Sequence, residues 1–177
     1  MRILIAYNSR GGNTKQVAES LQGALAQAGA EVDIAEVTAG TVEEVCGRVG
    51  DADAVLAGFW CDKGTCTAEM DELLAHLGGK RVFLFGTAGF GGAPEYFDRI
   101  LSGVRAKLPD GAAYAGGAMC QGRMGEGVRR RYEAMLEQNP GDARVQGMIA
   151  NFDAALAHPD ADDLDRIAAA AREALGL

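Results

Sequence analysis

Short apolar runs alternate with helix-periodic stretches along this chain, and the alternation predicts the order of its elements. Arg2–Tyr7 reads as a buried strand, apolar from Ile3 to Ala6. Thr14–Ala28 sets Val17, Leu21 and Leu25 on one helical face, and Gly29 stands where that helix ends. Val32–Val37 alternates with period two, as a half-buried strand does. Thr41 and Glu44 have the spacing of a capping box and predict a short second helix. Ala54–Trp60 is a third apolar run, Ala68–Leu77 a helix, and Arg81–Phe85 a fourth strand. Pro94 suits the first turn of a helix carrying Tyr96, Ile100 and Val104. Ala113–Cys120 is a weaker fifth strand of small residues.

Beyond it the chain reads as helical to its end. Arg129–Gln138 is one segment, Val145, Ile149, Phe152 and Leu156 mark the next, and Leu164, Ile167, Ala171 and Leu175 the last. Strands alternating with helices of this length predict an α/β fold, a doubly wound parallel sheet covered on both faces. Five strands imply the order 2-1-3-4-5, with an additional helical C-terminal segment. No repeat, low-complexity tract or proline-rich linker divides residues 1–177, which read as a single domain.

Composition narrows the function. Glycine makes up 25 of 177 residues, about 14% and roughly twice ordinary usage, as expected for turns and close approaches to a ligand. Seventeen basic and 25 acidic residues leave a net charge of −8. That charge argues against a phosphate-backbone contact with nucleic acid and suits docking on a basic partner. No run of eighteen apolar residues predicts a membrane span, and Met1–Ala6 lacks the length of a signal peptide. The four cysteines show no Cys-x-x-Cys spacing and there are two histidines, so neither a disulfide framework nor a metal site is expected. A cytoplasmic setting follows as the default.

In such sheets ligands bind outside the carboxyl ends of the strands. After the first strand, Ser9-Arg10-Gly11-Gly12-Asn13-Thr14 runs straight into a helix. Glycines there let amides converge, hydroxyls add donors, and a helix N-terminus favours an anion: a phosphate cradle rather than a mere turn. Neither a Walker pattern nor Gly-x-Gly-x-x-Gly is present in it.

This hexapeptide resembles the phosphate loop of flavodoxins, whose common form is Ser/Thr-x-Thr-Gly-x-Thr. The resemblance implies a flavodoxin-like fold binding FMN, with Ser9, Asn13 and Thr14 and the amides around Arg10, Gly11 and Gly12 on its phosphate. Gly11 departs from the pattern by replacing a hydroxyl residue, and Arg10 adds a cation that could meet the phosphate or water. By the same resemblance the loop after the third strand offers an aromatic ring and a backbone carbonyl to the flavin, roles for Phe59, Trp60 or Lys63-Gly64. Phe59 could equally finish a buried strand. In the loop Gly86–Gly92, amides of Thr87, Ala88 and Gly89 would meet the pyrimidine edge, and Phe90 or Tyr96 would replace the tyrosine usual there.

Cys120 reads as a buried small hydrophobe, His158 as a loop residue, and His76 as lying near a helix C-terminus. Cys120-Gln121-Gly122-Arg123-Met124 and His158-Pro159-Asp160 resemble a subgroup of small bacterial flavodoxins, some associated with bilirubin reductases. A tyrosine-phosphatase loop is excluded, because Ala52, Thr67, Glu72 and Glu126 stand where Cys-x5-Arg needs arginine. No Gly-x-Ser-x-Gly elbow occurs either. The resemblance therefore implies an electron carrier between a reductase and an acceptor, such as a tetrapyrrole reductase, with no catalytic side chain. A self-standing NAD(P)H-dependent FMN or quinone reductase and a flavin-free binding module are the rival readings. The expected partner is a basic redox protein, and the expected state a monomer or weak dimer. Asp62, Glu69, Asp71 and Glu72 are the acidic residues expected beside the flavin, whereas those from Asp160 to Asp165 serve a helix start.

Overall fold

Three apolar strands buried on both faces form the middle of a five-stranded parallel sheet in the computed structural model. It describes residues 1–91 and 93–177; Gly92, the last residue of the glycine-rich loop read from the sequence, lies outside the described residues. The strands are β1 (Arg2–Tyr7), β2 (Glu31–Glu36), β3 (Ala54–Trp60), β4 (Arg81–Ala88) and β5 (Ala113–Gln121). Their order is β2-β1-β3-β4-β5, as the alternation of elements predicts. The central runs carry no polar alternation because helices cover both faces. Their register brings Tyr7 opposite Gly58 and Trp60 opposite Thr87, so the carboxyl ends of β1, β3 and β4 finish together.

One face is covered by α1 (Asn13–Gln27) and α7 (Ala161–Leu175). Val17, Leu21 and Leu25 of α1 and Ile167, Ala171 and Leu175 of α7 pack there on Ile3, Ile5, Phe83 and Phe85. The other face carries α2 (Val42–Arg48), α3 (Ala68–Ala75) and α4 (Pro94–Arg105), whose Val45, Met70, Leu73 and Ile100 meet Leu4, Val55, Phe59 and Leu84. Between β5 and α7 the chain makes an excursion through α5 (Glu126–Gln138) and α6 (Ala143–Ala155). Tyr132 is the buried residue of α5, and Phe152 is among those of α6. The two ends of the excursion meet, for the Arg123 N–H donates to the His158 carbonyl at 3.1 Å.

Two expectations change. The fourth strand continues past Phe85 to Ala88, because Gly86 and Thr87 pair with β3 on one side and Gly86–Ala88 with β5 on the other. Thr41 stands at the start of α2 but forms no capping box. Its hydroxyl donates to the Glu36 carbonyl at 2.6 Å and accepts from the Thr38 N–H at 2.9 Å, so the side chain is spent on the loop before the helix. A capping box forms at α7 instead, between Asp160 and Asp163. Among the described residues no helix is long and apolar enough to cross a membrane.

Candidate functional site

The loop after β1 turns at Gly12, whose φ of 85° is readily reached only without a Cβ, and delivers the chain into α1. Ser9 Oγ accepts from the Gly12 N–H at 3.1 Å and the Lys15 N–H at 3.3 Å. The Ser9 hydroxyl thus gathers one loop amide and one from the first turn of α1, beside a helix N-terminus that favours an anion. Arg10, exposed, holds its guanidinium carbon 5.5 Å from the centre of the Trp60 ring. That contact joins the loops after β1 and β3.

Other candidate residues face inward. The Thr14 hydroxyl is fully buried and lies 2.9 Å from that of Thr87. Asn13, also buried, donates from Nδ2 to the Arg123 carbonyl at 2.8 Å. Thr87 and Ala88 sit inside β4, where the Thr87 carbonyl accepts from the Cys61 N–H and that of Ala88 from the Gly122 N–H. Gly89 is the first residue beyond β4. Phe59 points into the core with no exposed surface, while Trp60 lines the open cleft and Phe90 is 40% exposed.

That cleft encloses about 530 Å³ between the loops after β1, β2 and β3, and Asn8, Ser9, Arg10, Thr38, Trp60 and Thr67 are among its walls. Asn8 is a residue of the cleft wall that the sequence pattern did not single out. Buried, it donates from Nδ2 to the Thr67 hydroxyl at 2.8 Å, and that hydroxyl in turn bonds the Glu69 carboxylate. Glu69 is held below the usual carboxylate range by its own backbone N–H and by Thr67. The chain of donors leaves Asn8 Oδ1 without a partner among the described residues, and Asn13 Oδ1 shares that condition. An orphaned buried acceptor costs about 1–3 kcal/mol, which a hydroxyl or N–H of a ligand would recover.

Beyond Trp60 the chain forms a tight hairpin. Asp62 and Thr65 exchange both backbone hydrogen bonds, at 2.8 and 3.1 Å, around Lys63 at φ 51° and Gly64 at φ 88°. Two successive positive φ values define a type I′ turn, whose twist matches an antiparallel ribbon. The Cys61 thiol, which bonds the Gly64 backbone and the Tyr96 hydroxyl, is pushed up by burial.

Acidic side chains rim the cleft at Glu36, Asp62 and Glu69. Asp71 is spent elsewhere: burial pushes its carboxyl up, but Lys107, 2.6 Å away, and Cys66 hold it below the usual range. Asp160 and Asp163 belong to the α7 cap, where Asp163 also meets His158 at 2.6 Å and Arg166 at 3.0 Å. His158 lies in the loop before α7, and Cys120 is buried against Ile167 and Ala171.

Comparison with known proteins shows the family. The sequence profile of the flavodoxin domain matches residues 4–172. A flavodoxin-like domain-containing protein BilS of Clostridium symbiosum (strain WAL-14163) is 41% identical over 172 residues, spanning 93% of this chain and 90% of that protein. A BilS of Clostridioides difficile (strain CD3) is 27% identical over 164 residues, again spanning 93% and 90%. Among solved structures, a flavodoxin WrbA-like protein from Agrobacterium tumefaciens is similar in fold, with a TM-score of 0.52 at 16% identity over 97% of this chain and 98% of that one.

Proposed function

Since the chain belongs to the flavodoxin domain family, we propose that it binds FMN at the carboxyl ends of β1, β3 and β4 and carries electrons between a reductase and an acceptor enzyme. The observation that carries this reading is the gathering of the Gly12 and Lys15 amides on the Ser9 hydroxyl at the N-terminus of α1, beside the Trp60-lined cleft. Those amides, with Ser9, Arg10, Gly11 and the start of α1, suit a phosphate. The orphaned oxygen of Asn8, a residue of the cleft wall, suits a hydroxyl of a ribityl chain, which can donate where a phosphate cannot. Trp60 supplies the aromatic surface for a ring, Lys63-Gly64 the turn beside it, and Gly89-Phe90 the backbone opposite.

When bound, FMN supplies the redox chemistry; the protein supplies orientation and electrostatics. Glu36, Asp62 and Glu69 at the rim give a partner-facing surface of negative sign, which fits a basic redox protein. The acceptor we favour is a tetrapyrrole reductase, on the resemblance carried by Cys120–Met124 and His158–Asp160.

The absorption spectrum of purified protein, with the released flavin identified, tests the cofactor. Ser9→Ala then tests the phosphate contact, because one hydrogen bond to a charged group is worth roughly 1.5–3 kcal/mol, or about ten- to a hundredfold in affinity. FMN binding should weaken by that factor and riboflavin binding should not. Equal weakening of both ligands would move the phosphate away from this loop.

A further inference from the structure

The loop after β4 is fastened from an unexpected direction. The Gly89 carbonyl accepts from Gln121 Nε2 at 3.1 Å, at the end of β5, and from Asn151 Nδ2 at 3.0 Å, in the middle of α6. Gln121 Nε2 also donates to Asn151 Oδ1 at 3.0 Å, closing a triangle of three amides. Gln121 is buried. The fit around the triangle is tight: a Cβ on Gly89 would lie 2.6 Å from Met124 Cγ, and one on Gly91 2.9 Å from Gln121 Cδ. Sixty-two positions separate Gly89 from Asn151, so this contact is made by tertiary folding alone.

A peptide unit is planar and trans, so its N–H points opposite its C=O. Two donors engage the Gly89 carbonyl, one of them from the end of β5, and the Phe90 N–H is thereby turned away from them. The strand that flanks β4 opposite β5 is β3, with the Trp60 loop at its end. The direction of this N–H is therefore set by Gln121 and Asn151.

We propose that Gln121 and Asn151 are positioning residues for the flavin: by clamping the Gly89 carbonyl they aim the Phe90 amide at the polar edge of the ring. The α5–α6 excursion is then part of the cofactor site without touching the cofactor. This inference rests on the flavin reading. A fixed N–H donor favours the reduced ring over the oxidised one, because reduction adds negative charge to that edge and charge-assisted hydrogen bonds are the stronger. Pre-aimed, it spends no free energy on reorienting a loop when the flavin binds.

Two measurements on the full chain test it. In wild type, the Phe90 amide proton should move downfield when FMN is titrated into flavin-free protein, as read by NMR. Asn151→Leu combined with Gln121→Met removes both donors without adding charge; it should abolish the Phe90 shift and reduce the preference for reduced over oxidised FMN about tenfold. For a two-electron couple that factor lowers the midpoint by about 30 mV. Asn151→Gln keeps a neutral amide donor and should restore most of both signals. A Phe90 amide unmoved by FMN in wild type, which needs no variant to fold, overturns the proposal while leaving flavin binding intact. So does an unchanged midpoint in a folded double variant. A wild-type protein that binds no FMN overturns the flavin reading itself, and this inference with it.

Discussion

The hydroxyl pair of Thr14 and Thr87 links the start of α1 to β4 inside the protein, and a double-mutant cycle should reveal it. Their oxygens lie 2.9 Å apart, with Thr14 0% and Thr87 3% exposed. Valine matches threonine in shape, so Thr14→Val removes one hydroxyl, opens little space and leaves that of Thr87 stranded. A buried polar group stripped of its partner costs about 1–3 kcal/mol. Replacing both residues leaves no stranded group, and apolar pairs of the same shape are close to neutral. Each single variant should therefore lose about 1–3 kcal/mol, and the double variant less than either. At roughly 2–4 °C per kcal/mol for a protein of this size, each single change should lower Tm by about 2–12 °C. Urea unfolding of flavin-free protein gives all four corners of the cycle at constant m-value. Independent sites add within about 0.5 kcal/mol. A double variant as unstable as the sum of the two singles would show that the hydroxyls do not depend on each other.

Three further outcomes follow from other parts of the molecule. Lys63 holds φ 51° in a turn that favours Asn-Gly, so Lys63→Asn should stabilise by about 0.5–1 kcal/mol and Gly64→Val should destabilise, both read by thermal melting; equal and unchanged melting points would remove the type I′ turn from the solution structure. The thiols of Cys66 and Cys120 are pushed up to about 12, first by burial and then by Asp71 and Asp163 respectively. An unfolded thiol loses its proton near pH 8.5, so from about pH 9 to pH 12 the unfolded chain holds fewer protons and stability falls as pH rises. Cys120→Ala should flatten that fall in urea midpoints measured at pH 7.5 and 10.5, and an unaltered slope would refute the burial argument. With a basic reductase, the electron-transfer rate should fall as salt rises around physiological strength, where the Debye length is about 8 Å. Asp62→Asn with Glu69→Gln should flatten that dependence and Asp162→Asn with Asp165→Asn should not; a rate indifferent to salt would leave the acidity as a matter of solubility.

The sheet was legible because β1, β3 and β4 carry unbroken apolar runs (Ile3–Ala6, Ala54–Trp60 and Val82–Phe85), as a doubly covered parallel sheet requires, and because Ser9–Thr14 falls between a strand and a helix. The end of β4 was not, since Gly86-Thr87-Ala88 has the composition of a loop; pairing with two neighbouring strands overrides that local preference. Thr41 and Glu44 have the spacing of a capping box, but nothing local says that the Glu36 carbonyl will take the threonine hydroxyl. Within the candidate site, Trp60 and the Ser9 loop can be read from motif and position. Asn8 cannot, because its significance lies in Thr67, fifty-nine positions away, and in an oxygen left unpaired. The Asn151 contact is likewise invisible: its helix face carries no pattern that names Gly89 as a neighbour. Lys63 in a left-handed conformation runs against its own preference, and the Asp62–Thr65 pairing enforces it.

The meeting of Arg123 with His158 makes the α5–α6 excursion an inserted module, a segment that leaves the sheet and rejoins it at one place. A segment whose ends already touch can change length without moving the strands or helices on either side. Closing a loop twice as long costs only about 0.6 kcal/mol more. Proteins built on this plan can therefore acquire, enlarge or lose such a module while the sheet stays as it is. Here the module reaches back through Asn151 to the loop after β4, so a change in its length or sequence would reach the binding edge through one amide. Variation at this point is cheap for the fold and consequential for the site, and grafting the excursion from one relative onto another offers a way to retune that edge while Ser9, Trp60 and the strands stay untouched.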